Sequence, residues 1–307
     1  MPEYPDIVVY LERLTALLVG QRLEGIRLAS PFVLRSVAPP LSDTIGSEIR
    51  GFERIGKRII FVCEREDGSE IFIGLHLMIA GRLKWRKCGT KPPGKIGLAA
   101  FDFPNGTLLL TEASSKKRAA LHVVADRATL AQFNRGGIDV FSASPAQFSD
   151  ALQRENHTLK RSLTDPRLFD GIGNAYSDEI LHRARLSPLR LTQRLDADEI
   201  DRLQVATVAT LSEWAERLRA DAGEFPEKVT AFREGMAAHG RYKKPCPDCG
   251  APIQRIRYAA NETNYCAECQ NAGRLLADRA ISRLLKKDWP KSLEELEELK
   301  LELRGDR

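Results

Sequence analysis

The sequence predicts an α+β protein of several domains: a β-sandwich with one N-terminal helix, then a helical domain, then a small cysteine-bearing module. Three observations predict it. Short β-like runs separated by turn signals occupy residues 21–141, helical periodicity dominates from 146 to 238, and four of the six cysteines fall between 246 and 269. A chain of 307 residues is also too long for one ordinary domain.

Residues 5–20 read as a helix, because Ile7, Val8, Leu11, Leu14, Leu17 and Leu18 recur at helical spacing and Gly20 stops them. The runs RLEGIRLA, RIIFVCE, SEIFIGLHL, GLAAFDF, GTLLLTE and AALHVV then read as strands, with Asp67-Gly68 and Asn105-Gly106 as turns. Residues 142–150 form a Ser/Ala/Pro linker. Two helices flank the turn DGIGN at 170–174, and another spans 197–220 behind Asp196 as its N-cap. Beyond the cysteine module come two helical patterns, LLADRAISRLLKKDW and SLEELEELKLELR, split by Pro290. Ser292 and Glu295 make a capping box. The leucine spacing of this extension predicts helices that pack back on the body or join a partner. The domain boundaries that follow are 1–141, 142–238, 239–272 and 273–307.

Apolar residues make up 43% of the chain, enough for real cores, which excludes a disordered protein. No stretch approaches the roughly 18 uncharged apolar residues of a membrane helix. The start MPEYPDIVVYLERL lacks a basic region, so no secretory signal is expected. The cysteine usage fits a reducing, cytoplasmic compartment. Lys and Arg number 47 against 42 Asp and Glu, a formal +5, which permits a nucleic-acid partner without requiring one. Distribution says more. Residues 239–261 carry Arg241, Lys243, Lys244, Arg255 and Arg257 against Asp248 alone, and Lys116-Lys117-Arg118 is a second basic point. Such charge favours phosphate.

Cys246-Pro-Asp-Cys249 and Cys266-Ala-Glu-Cys269 are C-x2-C knuckles sixteen residues apart. Two tight turns deliver four thiolates to one tetrahedral ion, and Gly250 suits the first turn. A redox pair is the competing reading, disfavoured because there are two such pairs at zinc-ribbon separation. Four thiolates leave no open position, so one structural Zn2+ per chain is expected. Cys63, in an apolar strand, and Cys88, in a basic turn, read as ordinary residues.

Three segments in order, Met1-Pro2-Glu3-Tyr4-Pro5-Asp6, DGIGNAYSDE at 170–179 and the four-cysteine module, resemble the formamidopyrimidine-DNA glycosylase / endonuclease VIII family over residues 1–272. Those enzymes begin PELPE after loss of Met, carry a GVGNIYASE-like segment in a helix-two-turn-helix domain, and close with a zinc finger. The resemblance implies that fold here. It also implies a bifunctional DNA glycosylase and abasic-site lyase of base excision repair. Its partner would be damaged double-stranded DNA, held in a cleft between the domains by a monomer that touches no membrane. A non-catalytic damage binder of the same fold is the alternative, and Pro2-Glu3 is the feature such a binder has no need for. A zinc-ribbon protein of transcription or translation would explain residues 240–272 but neither the N-terminus nor the GIGN turn.

The resemblance also assigns residues. Once Met1 is removed, Pro2 has a secondary amine of pKa about 8, partly neutral near pH 7 and able to attack a sugar C1′. The resulting iminium withdraws electrons and promotes elimination. Glu3 stands beside it as proton shuttle. Lys57 and Asn174 match phosphate-binding positions near the lesion, and Lys160 matches a basic position before the turn, which makes it a further phosphate candidate. Read without the family, Glu3 is a first-turn carboxylate favoured by the helix dipole, Lys57 a solvated lysine, and GIGN a helix–helix turn.

The departures lie in lesion recognition. Enzymes that flip a base fill the hole they leave. The HLGMSG-like segment reads His76-Leu77-Met78-Ile79-Ala80-Gly81, which puts Ile79, or Met78 with a one-residue shift, at the filling position. The PRRFG-like loop becomes Ser115-Lys116-Lys117-Arg118-Ala119 without Phe, and Lys116 stands for an Arg that faces the orphaned base. Asn261 replaces the phosphate-gripping Arg five residues before the third Cys, and Asp6 replaces a Glu. The segment from Phe232 to His239 is too short for the loop that covers 8-oxoguanine in the formamidopyrimidine type. Lyase chemistry is therefore expected intact, with the preferred lesion left open.

Overall fold

The computed structural model describes residues 1–258, 261–277 and 289–305. They fall into two compact units, Met1–Gly136 with Ser212–Ala231, and Gly137–Leu211 with Phe232–Arg307.

The first unit opens with helix α1 (Tyr4–Leu18), which has Pro5 in its first turn, where a missing N–H costs nothing. Ile7, Leu14 and Leu18 of the expected stripe enter the main core together with Tyr10, and Leu11 and Leu17 pack half-buried against it, while Val8 of that stripe is not part of the cluster. Val9, outside that stripe, packs with Leu218 and Ala222, so the helix is buried on a second face as well.

Eight strands follow in two antiparallel sheets. One has the order β2 (Glu48–Ile55), β3 (Arg58–Glu64), β4 (Glu70–His76), β8 (Ala120–Val124). The other has the order β1 (Gly25–Leu28), β6 (Gly97–Phe103), β7 (Gly106–Glu112), β5 (Gly81–Arg86). Phe61, Cys63, Ile71, Ile73 and Leu75 from the first sheet share one core cluster with Leu83, Phe101, Phe103, Leu108 and Leu110 from the second, which makes the expected sandwich. The alternate residues Ile60, Val62 and Phe72 face outward, yet Leu130 of α2 (Arg127–Ala131) and Phe133 cover them. That is why RIIFVCE reads as a continuous apolar run. Burial pushes the Cys63 thiol up to about 12, so it behaves as an inert apolar group. Strands β2 and β5 are absent from the sequence reading, because EIRGFERI and GRLKWR carry charged residues throughout.

The second unit contains α3 (Pro145–Gln153), α4 (Leu159–Thr164) and α5 (Asn174–Ala184), with the first part of α6 (Ala197–Asp221). The stretch expected as a linker is in part the start of α3. Ser144 caps it and exchanges hydrogen bonds with Gln147, a start signal that the Ser/Ala/Pro composition concealed. Strands β9 (Gln254–Tyr258) and β10 (Asn261–Tyr265) pair as a hairpin, and the short helix α7 (Ala267–Asn271) follows. Leu275, Leu276 and Leu293 pack against Ile256, Tyr265 and Ala267, so the extension folds back as expected. Ser292 Oγ accepts the Glu295 N–H at the start of the C-terminal helix (Leu293–Gly305). The helix expected over LLADRAISRLLKKDW lies largely outside the described residues. Among those described, no helix is long and apolar enough to cross a membrane.

Candidate active site and metal centre

In the first unit the chemistry gathers at the amino terminus. Pro2 and Asp6 are buried and Glu3 is only 1% exposed. Glu3 is the N-cap of α1, and its N–H donates to Asp6 Oδ2 at 2.9 Å, which fixes the entry of the chain into the helix. The Met1 ammonium lies in this cluster. Burial holds its pKa below the ordinary α-amino value, Glu3 and Asp6 pull it up, and Arg82 and Lys57 push it down. The Met1 amine is therefore biased toward its neutral form. With Met1 attached, the Pro2 nitrogen is an amide.

Lys57 reaches the cluster from the two-residue turn Gly56-Lys57 that joins β2 to β3, where Ile55 pairs with Arg58. Gly56 has φ +64°, the left-handed conformation such a turn requires. Arg82, on β5, is a member the sequence reading missed. Its guanidinium donates to the Ile79 and Gly81 carbonyls at 3.2 and 2.6 Å. The only sequence signal was a base directly behind HLMIAG.

The β4–β5 turn presents Ile79, which is 56% exposed. Met78 adopts φ +53° and donates its N–H to His76 Nδ1 at 3.0 Å. A Cβ on Gly81 would stand 2.2 Å from the Leu77 carbonyl oxygen, so the turn closes only around glycine. Burial first, then Arg58, Lys57 and His122, push the His76 imidazole down to about 4, leaving it a neutral acceptor.

Lys116 and Arg118 are exposed on the loop between β7 and β8, and among the described residues neither side chain makes a hydrogen bond or ion pair. The buried Glu112 carboxylate anchors this loop by accepting the Arg118 and Ala119 N–H groups at 2.8 and 3.0 Å. Nothing in the sequence marks Glu112 as buried, because it ends a strand where a solvated carboxylate is ordinary.

In the second unit Asn174 is the first residue of α5, and Gly171 ahead of it has φ +80°. Asn174 Nδ2 donates to the Glu262 carbonyl of β10 at 3.0 Å. Lys160 turns inward from α4. Its Nζ donates to the Asn174 carbonyl at 2.6 Å and to Asp178 Oδ1 at 2.5 Å. Asp178 also meets His239 Nδ1 at 2.7 Å. Its neighbour Glu179 accepts the N–H groups of Ala237, Ala238 and His239 at 2.7, 2.9 and 2.8 Å. The sequence showed Asp178 and Glu179 as helix residues without revealing that they face inward. The Asn261 side chain is outside the described residues.

The cysteines come together as expected. Sulfurs of Cys246, Cys249, Cys266 and Cys269 all lie within 4.8 Å of one another, with Cys249–Cys266 at 3.4 Å and Cys246–Cys269 at 3.9 Å. Zn–S bonds of about 2.3 Å in a tetrahedron place sulfurs about 3.8 Å apart, so this donor set fits the ion. His182, at the end of α5, points Nε2 at Cys246 Sγ from 3.2 Å.

Three family models match the chain in order. They are the formamidopyrimidine-DNA glycosylase N-terminal domain over residues 1–119, the formamidopyrimidine-DNA glycosylase H2TH domain over 140–222, and the zinc finger found in FPG and IleRS over 243–272. A formamidopyrimidine-DNA glycosylase of Pelotomaculum thermopropionicum is 30% identical over 284 residues, covering 88% of this chain and 99% of that protein. That of Geobacillus kaustophilus is 29% identical over 281 residues, covering 88% and 100%. An uncharacterized formamidopyrimidine-DNA glycosylase-like protein of Mycobacterium tuberculosis is 35% identical over 151 residues, 49% of this chain and 94% of that protein. The solved Lactococcus lactis formamidopyrimidine-DNA glycosylase, non-covalently bound to DNA containing an abasic site, shares the fold with a TM-score of 0.76 at 23% identity, covering 88% and 99%.

Proposed function

Since the chain belongs to the formamidopyrimidine-DNA glycosylase family of DNA repair, we propose that it excises oxidised bases from duplex DNA and then cuts the strand at the abasic site, with Pro2 as nucleophile. The observation that carries this reading is the convergence of Glu3, Asp6, Lys57 and Arg82 on the amino terminus in a partly desolvated cluster.

Removal of Met1 turns the Pro2 amide into a secondary amine. Its lone pair attacks C1′ of the damaged nucleotide, the C1′–N bond to the base breaks with its electrons leaving on the base, and the Pro2 nitrogen gives up its N–H proton, which the departing base takes up. Glu3 protonates the ring oxygen as the sugar opens, giving an iminium at C1′. Loss of a proton from C2′ then expels the 3′ phosphate by breaking the C3′–O bond. Lys57 and Arg82 supply the positive field for the flanking phosphate and for departing negative charge.

Ile79, exposed at its turn, fills the space the flipped base leaves, and Lys116 and Arg118 reach toward the opposite strand. Asn174 binds phosphate at the start of α5, while Lys160 orders that turn from within. Cys246, Cys249, Cys266 and Cys269 hold a structural zinc, which keeps the hairpin folded. No observation favours the non-catalytic alternative.

Borohydride trapping of the processed protein tests the proposal. Duplexes would carry an abasic site, 8-oxoguanine, a formamidopyrimidine or an oxidised pyrimidine. A covalent adduct mapped to the Pro2 nitrogen is expected, and the duplexes that form it name the lesion. Tight binding with no adduct on any duplex would overturn the enzyme reading.

A further inference from the structure

We propose that His182 is a positioning residue for the zinc centre: its Nε2–H donates to the Cys246 thiolate and ties helix α5 to the metal. Nε2 and Sγ are 3.2 Å apart, and both residues are 3% exposed, so water does not compete for the bond. A metal-bound thiolate has no proton to give, which assigns the proton to Nε2. Such a donor draws charge from the sulfur and holds the ligand in one rotamer, the usual work of groups behind a metal's ligands. Asp248 and Cys269 also place ligand-type atoms within 4.8 Å of the imidazole, so His182 stands at the crowded edge of the cluster and not at a stray contact.

The bond matters because of where else α5 is held. Asn174, its first residue, donates to the Glu262 carbonyl at 3.0 Å. Past its last turn, Gln270 Nε2 donates to the Leu186 carbonyl at 2.9 Å. Asn174 and His182 are eight residues apart on one rigid helix, about 12 Å along its axis. His182, on the same helix, touches a cysteine of the cluster. Metal occupancy is thereby linked to the position of the Asn174 turn. The inference rests on the zinc reading of the cysteines and is independent of the glycosylase chemistry, so trapping experiments do not decide it.

Two measurements test it on the full chain. The first uses the wild-type protein loaded with 113Cd in place of zinc. A scalar coupling between cadmium and the His182 Hε2 proton, carried through the N–H···S bond, is expected in the NMR spectrum. A folded, cadmium-loaded protein whose assigned His182 ring shows no such coupling would overturn the proposal. The second compares zinc release to a chromogenic chelator in the wild type, His182→Phe and His182→Gln. Release about tenfold faster in His182→Phe, largely restored by the donor in His182→Gln, is expected. Equal release rates in all three proteins would overturn it. The wild-type experiment decides the matter even where His182→Phe does not fold.

Discussion

Lys160 Nζ lies 2.5 Å from Asp178 Oδ1, and the Asp178 side chain is sealed from solvent with His239 on its other oxygen. The lysine is thus part of the interior of the second unit, and its charge is matched before any ligand arrives. Removing one partner of a buried pair costs about 3–5 kcal/mol, because the other is left as an uncompensated charge. Lys160→Met is expected to lose stability on that scale in urea unfolding. A loss under about 1 kcal/mol, the range of exposed pairs, would show the pair to be solvated.

Arg118 offers the contrast. Its side chain is exposed on a loop that Glu112 anchors through the backbone. Arg118→Ala is expected to leave the unfolding curve unchanged and to reduce the salt slope of duplex binding by about one unit, the signature of one lost phosphate contact. Lys160→Met is expected to leave that slope alone. The reverse pattern would exchange the two roles.

Glu3→Gln keeps the size of the side chain at the N-cap and removes the proton-carrying group. Base release is expected to fall by about 10²–10⁴, with duplex affinity retained. Retained turnover would move the proton shuttle to Asp6, whose carboxylate accepts the Glu3 N–H.

The turn around Ile79 separates function from folding. Ile79→Ala is expected to change stability by no more than about 0.5 kcal/mol, since the side chain is exposed, while lesion turnover drops. Gly81→Ala should disrupt the turn itself, because the added carbon meets the Leu77 carbonyl at 2.2 Å. Turnover unaffected by Ile79→Ala would transfer the filling role to Met78.

Stability should depend on pH through His76. Its folded pKa, about 4, lies below the ordinary value near 6.5, so the unfolded chain binds the proton more readily. Stability is therefore fully present above about 6.5 and is lost as pH falls toward 4. His76→Gln keeps an acceptor for the Met78 N–H and removes the titration. Its unfolding midpoint should fall less steeply across that window, and curves parallel to the wild type would contradict the assignment.

Much of the architecture was legible because it depends on local pattern. Helix α1 declared itself by spacing, the cysteine knuckles by register, and the GIGN turn by its glycines. What escaped depends on neighbours distant in sequence. Val9 looks like a residue off the helical stripe until Leu218 and Ala222 cover it. Lys160 reads as a phosphate ligand until Asp178, eighteen residues on, draws it inward. Strands β2 and β5 hid because each is the edge of its sheet, paired on one side, where charged side chains are ordinary and hydropathy does not report pairing. At the candidate site the nucleophile and its carboxylate were readable as adjacent letters. Arg82 was not, because only folding brings β5 to the amino terminus.

Strand β3 has an interior on both of its faces. Each position from Ile59 to Cys63 is buried, odd residues toward the sandwich and even residues under Leu130 and Phe133. An ordinary sandwich strand accepts polar drift at every second position, and this one accepts it at none. Mutational robustness is therefore low in a short segment with no side chain in the proposed chemistry. Loss of activity through poor folding can arise there, where a survey of active-site residues would not look.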